Sequence, residues 1–175
     1  MNVQSLDGRQ IAYVNYWDAG LRILGTTDPT AIVELGVWNE EAAHSHAGSP
    51  FEVDGRSYYA HGGEAYDNRL TVLAITDLAA PAIVSRYESR DGVSIHNIEV
   101  RDGLAYLAYY IDGLRIVDLR NSANPGEVTH SDTVRAREEE ENLFDGIWGI
   151  RLDGTECSCW TGIGTYTFAV QLPTD

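Results

Sequence analysis

Residues 94–119 read SIHNIEVRDGLAYLAYYIDGLRIVDL, and this stretch decides the fold. It contains three short apolar runs, separated by an Asp-Gly turn at 102–103 and a second Asp-Gly turn at 112–113. Asp-Gly between apolar runs favours a tight β-hairpin, because glycine adopts positive φ without a steric penalty. A turn containing Pro125 and one more short strand follow. The stretch therefore predicts one four-stranded antiparallel sheet.

The same unit recurs along the chain. Further Asp-Gly turns lie at 7–8, 54–55 and 153–154, so successive turns are 47, 48 and 51 residues apart. Four-stranded units with a period of about 40–50 residues are typical of β-propeller blades. We therefore predict an all-β fold, a β-propeller of four-stranded antiparallel blades in a single propeller domain or propeller arc over 1–175. The predicted repeats cover about 1–43, 44–92, 93–142 and 143–175.

The fourth predicted repeat ends without an outer strand. An arc of four blades leaves sheet faces and edges open at its two ends, which is an aggregation hazard unless they are covered. We therefore expect closure by self-association, by further sequence, or as an unusually small propeller.

The charge of the chain excludes two classes of partner. There are 27 acidic residues against 12 basic ones, giving a net charge of −15, and no lysine occurs. Such a chain repels nucleic acid and anionic lipid. No apolar stretch approaches the ~20 residues that span a bilayer, so membrane insertion is not expected. An acidic, lysine-free surface is typical of halophilic proteins, and an acidic extracellular domain is the alternative.

Two cysteines, Cys157 and Cys159, lie two residues apart in a predicted strand. A disulfide across that spacing is strained, and two thiolates alone do not make a zinc site. Both are therefore predicted to be buried free thiols.

Several strings resemble the LVIVD-repeat proteins, including surface proteins of the choice-of-anchor B type. These strings are YWDAGLRIL, HNIEV, AYLAYYIDGLRIVDL and FDGIWGI. The resemblance covers nearly the whole chain and implies an exported β-propeller, located extracellularly or at the cell surface, whose signal or anchor is absent from these residues. The chain departs from the family at HAGSP (46–50), where a Trp-Pro pair is common, and at HGGE (61–64), where an Asp-Glu pair is frequent.

Three residues of the second and third repeats are candidate metal ligands. His46 precedes one inner strand, His96 begins the next, and Glu64 follows the second strand of its repeat. Inner-strand ends of adjacent blades meet at one mouth of a propeller channel, so we expect these side chains to lie close together. Two imidazoles and a carboxylate suit zinc, copper or non-haem iron. The alternative is a structural polar cluster that satisfies nearby backbone groups.

Trp17, Asn97 and Tyr110 are the candidate ligand-binding residues. Trp17 and Tyr110 end their strands, where an aromatic ring can stack on a ligand at the mouth, and Asn97 lies beside His96. The high acid content makes calcium a candidate cofactor besides a divalent transition metal.

These observations favour an exported binding or surface-architecture module. No Gly-x-Ser-x-Gly nucleophile motif occurs, and no catalytic residue is assigned. The expected partner is a second copy of the chain, a cell-surface protein or a glycan. One alternative is a metal-dependent, oxidoreductase-like enzyme with its His/Glu site at the channel mouth. Another is a self-assembling structural protein that closes rings or fibres through open blade edges.

Overall fold

A computed structural model describes six stretches of the chain, which are residues 1–41, 44–65, 69–132, 144–154, 156–162 and 164–169. These residues form fifteen β-strands in four antiparallel sheets. Within these stretches there is no helix long and apolar enough to cross a membrane.

Each sheet is a meander whose strands lie side by side in chain order. Sheet one contains β1 (Asn2–Leu6), β2 (Arg9–Asn15), β3 (Leu21–Gly25) and β4 (Val33–Trp38). Sheet two contains β5 (Ser45–Val53), β6 (Arg56–Gly63), β7 (Leu70–Ala74) and β8 (Ala82–Tyr87). Sheet three contains β9 (Asn97–Arg101), β10 (Leu104–Ala108), β11 (Leu114–Asp118) and β12 (Gly126–Ser131). Sheet four contains β13 (Ile147–Asp153), β14 (Glu156–Thr161) and β15 (Gly164–Ala169). The predicted all-β class is confirmed, and in the described residues the fourth unit has three strands.

The Asp-Gly pairs form the first hairpin of each sheet. Asp7, Asp54 and Asp102 have φ of 49, 50 and 51°, and the glycines that follow have φ of 75, 70 and 72°. Two successive positive φ values are the signature of a type I′ turn, whose twist matches that of the paired strands. The turn therefore fixes the register of inner strand and second strand in the first three sheets.

The sheets stack face to face like the blades of a propeller. Separate apolar clusters join sheets one and two, two and three, and three and four. The inner strands β1, β5, β9 and β13 lie next to one another along one edge. No such cluster joins sheets four and one in the part of the chain that is described, so the four blades form an arc that is not closed.

Cys157 and Cys159 are free and buried in the cluster between sheets three and four, as predicted, with their Sγ atoms 3.9 Å apart.

Sheets one and two also touch through backbone. A Cβ atom on Gly36 in β4 would lie 1.8 Å from the carbonyl oxygen of Leu78, which belongs to the segment between β7 and β8. Only glycine permits this approach. Gly126, which begins the outer strand of sheet three, would meet nothing within 4 Å.

Gly36→Ala is expected to destabilise the protein, because the added methyl group displaces the Leu78 backbone. Overpacking of this kind costs about 1–3 kcal/mol in the free energy of unfolding. Gly126→Ala is the matched control and should change it by less than about 0.5 kcal/mol. Urea denaturation followed by tryptophan fluorescence measures both, and equal midpoints for the two variants would contradict the contact.

A histidine is buried between sheets one and two. His61 in β6 is 1% exposed, its Nε2 atom lies 2.9 Å from the Ser45 hydroxyl, and its ring meets Trp38 at 4.7 Å between centroids. Burial lowers the pKa of His61 to about 3. The matching place in β10 is filled by Leu107, which shows that this position is part of the core.

The buried His61 is expected to make stability fall in mild acid. The folded state keeps the imidazole neutral down to a pH of about 3, whereas the unfolded chain binds the proton near a pKa of about 6.5. Between these values the unfolded state carries more protons, so the free energy of unfolding decreases by up to about 1.4 kcal/mol per pH unit as pH falls. His61→Leu should flatten this slope in urea denaturations between pH 6.5 and 4.5. An unchanged slope would show that His61 is not the group responsible.

Candidate metal centre

Side chains at the start of the inner strands point at the mouth of the arc. This position is occupied by His46 in β5, by His96 directly before β9 and by Trp148 in β13. The imidazole rings of His46 and His96 lie 4.7 Å apart between centroids. The indole ring of Trp148 lies 6.1 Å from the imidazole ring of His96, also between centroids. Three adjacent blades therefore present rings side by side.

A second recurring position lies just past the second strand of a sheet. It is occupied by Trp17 after β2, Glu64 after β6 and Tyr110 after β10. Trp17 and Tyr110 both adopt positive φ, at 47 and 46°, which is uncommon for bulky residues. The repeated turn thus places two aromatic residues in the same backbone conformation, and the second sheet carries a carboxylate in their place.

Backbone bridges fix this position against the next blade. Trp17 pairs with Ser45, directly before His46, and Tyr110 pairs with Ile147, directly before Trp148. The amide of Trp17 donates to the Ser45 carbonyl at 2.8 Å, and the amide of Ile147 donates to the Tyr110 carbonyl at 3.1 Å. At Trp17 and Tyr110 the two recurring positions are therefore brought together by main chain rather than by side-chain packing alone.

His46, Glu64 and His96 form one cluster. The Nδ1 atom of His46 lies 2.9 Å from Oε2 of Glu64, and the Nε2 atom of His96 lies 4.0 Å from Oε1 of the same carboxylate. One potential ligand atom from each residue lies within 4.8 Å of the other two. Sheets two and three thus bring together the three residues predicted from the sequence.

Neighbouring groups orient Glu64 and His96. The hydroxyl of Tyr110 donates to Oε1 of Glu64. Burial and this bond both raise the pKa of Tyr110, so the phenol keeps its proton at neutral pH. Nδ1 of His96 contacts the carbonyl oxygen of Trp148. Because a carbonyl oxygen only accepts hydrogen bonds, Nδ1 is the donor in this contact, and Nε2 lies 4.0 Å from Oε1 of Glu64.

The surroundings of His46 favour the neutral form of its imidazole. Burial lowers its pKa, the Glu64 carboxylate opposes this, and His96 adds to the lowering. His46 is therefore neutral at pH 7. A neutral imidazole is the form that binds a metal ion.

The predicted ligand-binding residues line the same mouth with different exposures. Trp17 is 44% exposed and lies edge-on to His46 at 5.7 Å between ring centroids. Tyr110 is only 3% exposed, and its ring packs against His96 at 5.2 Å. Asn97 begins β9 and is partly buried. The ring of Trp17 is thus accessible for stacking, whereas the contacts of Tyr110 are with the cluster.

Trp148 was missed by the sequence reasoning. Its indole is 45% exposed at the mouth and its carbonyl orients His96. The signal was available, because Trp148 holds the place in the fourth unit that His46 and His96 hold in theirs. Two imidazoles and one carboxylate, flanked by exposed indoles, are a ligand set that suits a divalent transition-metal ion.

A family model matches the third sheet. Residues 94–133 match the LVIVD repeat. The family resemblance drawn from the sequence is confirmed over these residues, which contain the four strands of the third blade. No curated protein matches the chain significantly.

Two solved structures share the fold. The computationally designed Ika8 protein gives a TM-score of 0.61 at 10% identity, over 96% of this chain and 45% of that one. PorZ, a bacterial surface component of the type-IX secretion system of Porphyromonas gingivalis, gives 0.61 at 14% identity, over 96% of this chain and 25% of that one. The chain therefore spans less than half of either protein. At these identities the likeness shows the fold alone, a β-propeller arrangement of blades.

Glu64→Gln is expected to lower the pKa of His46 further. The carboxylate favours the protonated imidazole, and the amide removes that attraction while burial remains. A titration of the metal-free protein by NMR of the imidazole protons measures the change. A higher pKa in the variant would contradict the assigned contact.

Proposed function

We propose that this chain is a surface β-propeller module that binds its partner at the mouth of the arc, through a divalent transition-metal ion held by His46, Glu64 and His96. The observation that carries the proposal is the convergence of two imidazoles and one carboxylate from adjacent blades within 4.8 Å. These ligand types favour zinc or copper over calcium, which takes oxygen ligands.

The spacing of the ligand atoms supports this assignment. Neighbouring ligands of a tetrahedral zinc lie about 3.3 Å apart when the bonds are about 2.0–2.1 Å long. Oε2 of Glu64 lies 2.9 Å from Nδ1 of His46, and the other oxygen, Oε1, lies 4.0 Å from Nε2 of His96, so both separations are near that value.

The surroundings of the cluster support metal binding over a purely structural polar cluster. The Trp148 carbonyl accepts from Nδ1 of His96, which leaves Nε2 as the nitrogen available to a metal ion, and burial lowers the pKa of His46, which favours its neutral form. Tyr110 holds the carboxylate in place, as outer-shell groups do at metal sites. One carboxylate and two neutral imidazoles leave a bound divalent ion with a net positive charge, which can attract a further donor group.

A surface location agrees with the LVIVD repeat in the third blade and with the fold shared with a bacterial surface component. A net charge of −15 disfavours anionic partners. The exposed indoles of Trp17 and Trp148 suit a partner with a ring or an apolar surface, such as a neutral glycan or a surface protein.

The same three residues support a second candidate, a metal-dependent enzyme. Two histidines and one carboxylate also hold catalytic zinc or non-haem iron with open coordination positions. Oxygen consumption by copper- or iron-loaded protein with ascorbate as reductant, abolished in Glu64→Gln, would favour the oxidoreductase.

The wild-type chain is expected to bind about one zinc ion per chain. Protein equilibrated with Zn²⁺ and desalted should retain the ion by elemental mass spectrometry, and isothermal titration should give the affinity. His96→Ala should weaken binding at least 100-fold, because it removes a ligand. Tyr110→Phe should weaken it about 10-fold, because it removes the group that orients Glu64.

His130→Ala is the matched control. His130 lies on the outer strand β12, exposed and paired with Glu127 at 2.8 Å. This variant should bind zinc like wild type. Zinc affinity that is unchanged in His96→Ala, or lost equally in His130→Ala, would contradict the proposed centre.

A further inference from the structure

A groove lies between sheets two and three, at the opposite end of their strands from the mouth. Its volume is about 690 Å³, which is within the range of about 300–1,000 Å³ usual for small-molecule sites. His46 at the mouth and Val53 at the groove are seven residues apart along β5, and at about 3.3 Å per residue this is roughly 23 Å. The groove is therefore separate from the candidate metal centre.

The groove is left open by a small residue at one position of the repeat. The loop after the third strand of sheet two carries Leu78, four residues after β7, and its side chain packs into the cluster between sheets one and two. The equivalent residue of sheet three is Ser122, four residues after β11, and it lines the groove. A serine side chain is too short to fill the space that leucine fills, so a groove remains between sheets two and three.

The loop that carries Ser122 is nevertheless fixed against sheet two. The hydroxyl of Ser85 in β8 donates to the backbone carbonyl of Ser122 at 2.5 Å. This bond replaces the close approach of Gly36 to the backbone of Leu78 between sheets one and two. Ser122 is only 9% exposed. Both walls of the groove are therefore held by the packing of the blades.

The walls of the groove are largely apolar. Tyr58 in β6 is buried, and Phe51 of β5 stacks on its ring at 5.4 Å between centroids, which holds the ring in place. Val53, Ala74 and Val84 add aliphatic surface. The groove therefore favours a ligand with an apolar or aromatic body.

Arg56 supplies a cation at the rim of the groove. It is exposed as the first residue of β6, and within the described stretches its guanidinium has no ion pair or hydrogen bond. By contrast, Arg120 on the same rim is paired with Asp118 at 2.6 Å. A guanidinium presents its N–H donors as a planar fork that matches the two oxygens of a carboxylate. Arg56 is therefore available to bind the acidic end of a ligand.

The charge of the chain favours a ligand with a single negative charge. A net charge of −15 repels anions in proportion to their charge, so a carboxylate is repelled less than a phosphate or sulfate dianion. At about 0.15 M salt the Debye length is about 8 Å, which screens the distant acidic residues. Asp54 lies on the same rim, two residues before Arg56, so its charge opposes the ligand directly.

We propose that this groove binds a small organic acid. Its single carboxylate pairs with Arg56, and its apolar or aromatic body lies against Val53, Tyr58 and Ala74. The observation that carries the proposal is an exposed, unpaired guanidinium, within the described residues, at the edge of an apolar groove that Ser122 leaves open. The site does not depend on the metal ion proposed at the mouth.

Benzoate is a suitable probe, with benzamide as its neutral counterpart of the same shape. Titration of the intact ¹⁵N-labelled chain, followed by amide NMR shifts at a constant ionic strength of about 0.15 M, should place benzoate at residues 53–58 and 120–123 with about millimolar affinity. Arg56→Gln should weaken benzoate binding about fivefold, as expected for a partly exposed ion pair, and leave benzamide binding unchanged. Ser122→Leu should abolish binding of both compounds, because the leucine fills the groove.

Two further variants complete the test. Asp54→Asn should strengthen benzoate binding about twofold, because it removes the opposing charge, while asparagine before glycine keeps the turn. Arg9→Gln is the matched control, since Arg9 begins β2 as Arg56 begins β6, and it should bind benzoate like wild type. Benzoate that shifts no amide at 53–58 or 120–123, or that binds Arg9→Gln and Arg56→Gln equally, would overturn the proposal. Benzamide that binds wild type as tightly as benzoate would also overturn it.

Discussion

The stacking of one sheet on the next is the contact on which the rest of this chain depends. A four-stranded meander of short strands cannot bury its own apolar side chains, so each sheet has to cover its faces with neighbours. Sheet two shows the result, since Tyr59 packs towards sheet one and Tyr58 towards sheet three. Stacking aligns the inner strands along one edge, and that edge is where the starts of β5, β9 and β13 meet. The side chains at the mouth are thus brought together because apolar side chains are buried between the sheets.

Two recurring backbone positions convert this geometry into a site. The fold accepts Trp17 or Tyr110 past the second strand and Trp148 at an inner-strand start, where they provide aromatic packing. In the second blade the equivalent of the aromatic residue is Glu64, and its neighbours at the inner strands are His46 and His96. The four-stranded meander is the same in these blades, so the polar residues change the chemistry while the strand order is kept. A partly buried carboxylate is costly unless it is hydrogen-bonded, and the Tyr110 hydroxyl meets that need.

The sequence was sufficient for the fold because Asp-Gly turns and alternating apolar runs are local signals. It was also sufficient to bring His46, Glu64 and His96 together, because blade topology alone places them at one mouth. The orientation of these groups could not be predicted from the sequence. The hydrogen bonds from Tyr110 to Glu64 and from His96 to the Trp148 carbonyl depend on residue positions in three sheets. His61 shows the same limit. It lies three residues before Glu64, yet it is buried between sheets one and two.

The position of the cluster within the arc determines whether it needs a closed ring. Its three residues come from sheets two and three, and both faces of each of these sheets are covered by neighbouring blades. The uncovered faces belong to sheets one and four, which supply Trp17 and Trp148 at the rim but none of the three ligand atoms. Whatever covers the apolar face of sheet one, the packing that orients His46, Glu64 and His96 is complete without it. The proposed metal binding therefore does not depend on what covers sheet one.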